Sequence, residues 1–146
     1  MPLLTRPSAR TATTSAVLAN VSARVRPEQV ALTRAGIGSV MIARPRLLPG
    51  ILGIDSATSA RMGWSSQMLG VRELALGLGT LGALRSPDRR SARLWVAAGM
   101  LCDAGDALAV GGALAKGRVA KAPAGAAMLS ALMAVALGAR SLGHRA

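Results

Sequence analysis

Neither phenylalanine nor tyrosine occurs in this chain, and tryptophan occurs only twice in 146 residues. A water-soluble core of that size normally fills its volume with aromatic side chains. Here the 51% hydrophobic content rests on small and aliphatic residues, among them 17 glycines. Such residues suit helices packed in lipid, where close backbone approach raises van der Waals contact. Cysteine occurs once, at Cys102, which excludes an intrachain disulfide. It has no Cys or His neighbours in sequence that would make a metal site. The one histidine, His144, lies in a basic tail and reads as a solvated end residue rather than a ligand or base. Acids are scarce too, six against 18 Lys and Arg, for a net charge of +12.

A surplus of this kind points either to nucleic acid or to the flanks of membrane spans. Its distribution favours the second. Arg44 and Arg46, then Arg85, Arg89, Arg90 and Arg93, then Lys116, Arg118 and Lys121 fall between apolar runs. A nucleic-acid domain would more often gather the charge on one face and interleave aromatics for stacking.

Residues 1–27 are rich in Ser, Thr, Ala and Arg and hold no acid; Arg6, Arg10, Arg24 and Arg26 are spread through them. They read as a disordered basic N-terminal tail, although the composition also resembles an organelle transit peptide. The remainder, 28–146, reads as one all-α domain: an integral membrane bundle of about four antiparallel, Ala/Gly-rich helices.

The expected spans are 29–43, 67–84, 93–115 and 122–139. The first is short for a ~30 Å hydrocarbon core, carries Arg34, and is closed by Pro45 and Pro49. Asp55 or Ser56 is placed to cap a short helix in the following connector, and Trp64 to sit at headgroup level. Ser86-Pro87-Asp88 marks a turn, and Pro123 suits a first helical turn.

Small residues recur every fourth position. They are Ala31, Ala35, Ser39 and Ala43, then Ala75, Gly79 and Ala83. In the third segment they are Gly99, Ala107, Gly111 and Ala115 with Asp103 in the row, and in the last Ala122, Ala126, Ser130, Ala134 and Gly138. Such rows suit helix packing, although a chain this rich in Ala and Gly also produces them by chance. The N-tail, the 85–93 connector and the C-tail hold ten basic residues against six in the other connectors. That bias puts both termini in the cytoplasm.

Five ionisable residues interrupt the apolar segments: Arg34, Arg72, Glu73, Asp103 and Asp106. A lone charge in hydrocarbon costs roughly 2.5–3.5 kcal/mol, so they should face inward and pair. Asp103 and Asp106, spaced i, i+3, share a helix face, and Arg72 is a natural partner for one or both. Arg34 is expected nearer the cytoplasmic side, with a less obvious partner.

The leading reading of the group is structural, as charges that fix helix register. The alternative is a polar site of a small transporter or a subunit handling ions or protons. A soluble or peripheral nucleic-acid-binding protein is the third reading. No catalytic, metal or cofactor residues are expected. Glycines 77, 79 and 82 spell GxGxxG, but the pattern binds pyrophosphate only between a strand and a helix, and here it lies in a helical run. Partners are expected to be the bilayer and a second copy of the chain, not nucleic acid.

The stretches ARPRLLPGILGIDSATSARMGW, QMLGVRELALGLGTL and LCDAGDALA resemble a family of small membrane proteins with a domain of unknown function, common in high-GC bacteria. The resemblance covers roughly residues 29–142. It implies a four-helix membrane protein of the bacterial inner membrane and carries no activity with it.

Overall fold

A computed structural model describes residues 26–143, so all but the end of the N-terminal tail, together with His144, lies outside the described residues. Among the described residues six helices follow one another: α1 (Pro27–Ala43), α2 (Leu47–Ile51), α3 (Ser56–Arg61), α4 (Gly63–Arg85), α5 (Arg89–Ala115) and α6 (Lys121–Gly143). Among the described residues there is no strand.

The helix ends follow from local chemistry. Pro27 opens α1 at its first position, where a missing N–H costs nothing. Gln29 Oε1 accepts from the Arg26 N–H at 3.0 Å. Pro45 closes α1 by forcing Arg44 out of helical backbone (φ −132°). Pro49 does not share that role; it sits in the first turn of α2, where its absent N–H is again harmless. Asp55 caps α3, accepting from the Thr58 N–H at 3.0 Å. That backbone donor holds its carboxyl below the usual carboxylate range. Asp88 caps α5 through the N–H groups of Arg90 and Ser91. Beyond α5, Gly117 adopts φ +65°, and the Gly117 and Arg118 N–H groups return to Leu114 and Ala113, a Schellman closure.

The four long helices alternate in direction. Gly38 lies against Gly70, and Ala31 against Gly77, so α1 and α4 are antiparallel. Gly79 meets Trp95 while Arg72 meets Asp106, which makes α4 and α5 antiparallel. Gly138 beside Met100 and Gly111 beside Met128 do the same for α5 and α6. Contact is heaviest within the α1–α4 and α5–α6 pairs and thinner between α4 and α5. The helices overrun their expected limits, α4 and α5 each starting four residues early. Trp64 therefore lies inside the first turn of α4, where it is exposed.

The α1–α4 contact runs in steps of seven. Gly63, Gly70 and Gly77 on α4 face Pro45, Gly38 and Ala31 in turn. A Cβ on Gly77 would stand 2.6 Å from the Ala31 carbonyl oxygen, and one on Gly38 2.5 Å from the Leu74 nitrogen. A seven-residue repeat keeps one seam in contact along two helices crossing at a shallow angle. This seam differs from the every-fourth rows. Ala75 is exposed and Gly79 turns to α5, while Ser39 and Ala43 on α1 point outward. On α6, Ala122, Ala126 and Ser130 are exposed, Ala134 is half-buried, and Gly138 meets Met100 closely. The α5 row does face inward, with Gly99, Asp103 and Ala107 buried. A row of small residues permits close packing but does not choose the partner, so several equivalent rows compete and tertiary contact selects one.

Candidate functional site

The glycine seam sets the height of the charged residues. Arg34 lies between the Ala31 and Gly38 contacts, and Glu73 between the Gly77 and Gly70 contacts, so the two are level. Arg34 Nη1 donates to Glu73 Oε2 at 2.7 Å, and its Nη2 donates to Asp103 Oδ2. Arg72 Nη1 donates to Asp106 Oδ1 at 3.1 Å. Arg72 Nη2 donates to Asp106 Oδ2 and, at 3.2 Å, to Glu73 Oε1. The five residues thus form one continuous chain: Asp103, Arg34, Glu73, Arg72, Asp106.

Each helix contributes through its spacing. Asp103 and Asp106, one turn apart on α5, present their carboxylates to different guanidiniums. Arg72 and Glu73 are adjacent on α4, so their side chains diverge and Glu73 can accept from both arginines. Gly99, one turn before Asp103, leaves room for the Arg34 guanidinium to lie across α5; a Cβ there would stand 3.5 Å from Nη2.

The expectation for Arg34 is corrected by this geometry. Its guanidinium reaches inward to Glu73 and Asp103 instead of sitting apart towards one end. Arg72 takes one aspartate, Asp106, and leaves Asp103 to Arg34.

Burial is uneven along the chain. The side chains of Arg34, Glu73 and Asp103 are 11–13% exposed, whereas Arg72 and Asp106 are 31% and 39% exposed. Arg72 Nε is buried and has no hydrogen-bond partner. A buried donor left unmade costs about 1–3 kcal/mol, so the Arg72 end is the less satisfied one.

GLGTLG lies wholly within α4, where Gly77 and Gly79 serve close helix contacts. It makes no turn at a helix start, so it offers no phosphate cradle. Cys102 is free and half-buried. Among the described residues no group of His, Cys, Asp and Glu is placed to hold a metal ion. The chemistry at hand is charge pairing and proton exchange on carboxylates.

Sequence reasoning missed the seven-residue seam. Its signal was present in the steps from Gly63 to Gly70 to Gly77 and from Ala31 to Gly38, but the every-fourth rows overlay it. Compared with family models, curated proteins and solved structures, the chain matches none of them.

Proposed function

We propose that this chain is a four-helix integral membrane protein, not an enzyme, whose ion-pair chain locks helix register. Its place would be the inner membrane of a bacterium, with both termini cytoplasmic, as the resemblance and the distribution of basic residues suggest. The observation that carries the reading is an inverted distribution of side chains. Among the described residues most buried side chains are small or polar, among them Ala31, Ala83, Ala92, Ala107 and Ala124 with Ser59, Ser66, Thr80 and Asp103; Met41 and Leu76 are the large apolar ones. Fifteen described large apolar side chains are at least 40% exposed, among them Leu101 at 76% and Leu108 at 78%.

Burying a Leu, Ile or Val is worth roughly 1.5–3 kcal/mol. Fifteen such groups left largely in water would forgo an amount comparable to the whole net stability of a domain, about 5–15 kcal/mol. In lipid the same leucines lie in their preferred solvent. Two helices, α5 and α6, are long and apolar enough to cross a membrane by length and composition. The 17-residue α1 and the charged α4 would cross beside them with their charges paired, as intramembrane charge requires.

The ionic chain then serves register. Sliding α1 one turn along α4 would part Arg34 from Glu73 and Asp103 and leave uncompensated charge in hydrocarbon. A second reading, a subunit that handles ions or protons, is favoured by the exposed Arg72–Asp106 end and by the unequal numbers of acid and base.

The deciding experiment is fractionation of the expressed protein, with the membrane pellet washed in high salt and then in alkaline carbonate. Retention with release only by detergent is the expected result. Release by salt or carbonate would sink the bundle-in-lipid reading and return the +12 charge to a surface for nucleic acid or anionic lipid.

A further inference from the structure

The ionic chain contains two guanidiniums and three carboxylates. If all five were ionised, one negative charge would remain in the middle of the bundle. Among the described residues no further cation is paired with the ionic chain. The charged groups around Asp103 are Arg34 from α1, Glu73 from α4 and Asp106 from α5 itself, with Arg72 next along the chain and the half-buried Cys102 beside Asp103 in sequence. α6, which packs on α5 and touches α1, has no ionisable side chain between Lys121 and Arg140. A surplus charge is poorly tolerated in hydrocarbon, and a titratable group there takes its neutral form.

We propose that the surplus is carried as one exchangeable proton, held on Asp103, so that the five-residue chain binds and releases a single proton. The inference rests on the membrane reading, since water would screen the same charge. Asp103 is singled out by its contacts. Glu73 accepts from both arginines, and Arg72 clasps Asp106 on both oxygens. Asp103 accepts one guanidinium bond, on Oδ2, and is among the least exposed members of the chain. Its other oxygen accepts no bond from the described residues. A protonated Asp103 still accepts from Arg34 on one oxygen and carries the O–H on the other. The step is simple acid–base exchange: the carboxylate takes H⁺ from water on binding and returns it on release. The five sites titrate as a coupled set, so the proton belongs to the count of charges as well as to one residue.

Infrared spectra of the full chain reconstituted in lipid test this directly through the C=O stretch of a protonated carboxyl. The remaining acids, Glu28, Asp55 and Asp88, are exposed and lie outside the ionic chain. One carboxyl equivalent per chain is expected at neutral pH, lost on raising the pH. Asp103→Asn should abolish it. Asp106→Asn, at the exposed end where folding is least at risk, should abolish it too, because acids and bases then balance. Arg72→Gln should raise it to two equivalents. Absence of the band in the wild type, or stabilisation by sodium in its place, would overturn the proposal. Persistence of the band in Asp106→Asn would also overturn it, since local burial and not the charge count would then hold the proton. Failure of the membrane reading shows separately, as release into carbonate.

Discussion

The two helix pairs of this protein are built on different principles. In α1 and α4 the backbones touch through Gly38, Gly70 and Gly77, and three of the five internal charges sit on that pair. In α5 and α6 contact runs through side chains, with Met100 against Gly138 and Met128 against Gly111. Burial differs accordingly. α4 has six buried residues, whereas α6 has one, Ala124. Yet α5 and α6 are the helices long and apolar enough, by length and composition, to cross a membrane, with 17% and 6% of their apolar windows buried. Hydropathy and burial run in opposite directions here. A helix wrapped by its neighbours can carry charge, because the neighbours supply partners. A helix that faces outward along most of its surface must match the surrounding solvent, which under the proposed function is lipid.

The sharpest way to break this comparison is to remove the charge that ties α1 to both α4 and α5. Arg34→Gln leaves Glu73 with one guanidinium and Asp103 with none. The expected loss is about 3–6 kcal/mol, because two hydrogen bonds from a charged donor, to Glu73 and to Asp103, are removed, and it should appear as low folded yield and a lower Tm in detergent. A Tm equal to that of the wild type would remove the register role.

The glycine seam is the next target. Gly38→Ala places a Cβ against the Gly70 oxygen and the Leu74 nitrogen, both backbone atoms that cannot swing away. Overpacking of this kind costs about 1–3 kcal/mol. Thermal unfolding should register it, and it should also weaken the Arg34–Glu73 contact that the seam aligns. The smallest expected effect has the opposite sign. Gly105 on α5 has nothing within 4 Å of its would-be Cβ. Gly105→Ala should therefore raise stability by about 0.5–1 kcal/mol through helix propensity alone. A destabilised Gly105→Ala would mean that a partner covers the outer face of α5, the place where a second copy of the chain would dock.

Much of the helical layout was legible in the residues. Pro27, Pro45, Asp55, Asp88 and Gly117 each act through bonds to their immediate neighbours, so a linear reading can find them. The five charged residues were also legible as a group, because charge in an apolar run has few places to go. Two errors share one cause. Arg34 was expected nearer the cytoplasmic side with a less obvious partner, but an arginine side chain is long and its partners were chosen by how α1 seats on α4. The every-fourth rows were read along single helices, whereas the seam in use belongs to two helices at once.

The sequence by itself determined that the described residues are helical, which segments form the four long helices, and which side chains need ionic partners, because those properties rest on local bonds and on residue chemistry. Only the tertiary structure decided which row of small residues each helix turns inward, and hence that Arg34 joins Glu73 to Asp103 and Arg72 joins Glu73 to Asp106. Several faces of an Ala/Gly-rich helix are alike in one dimension, and they become unequal only when a second helix is laid against them.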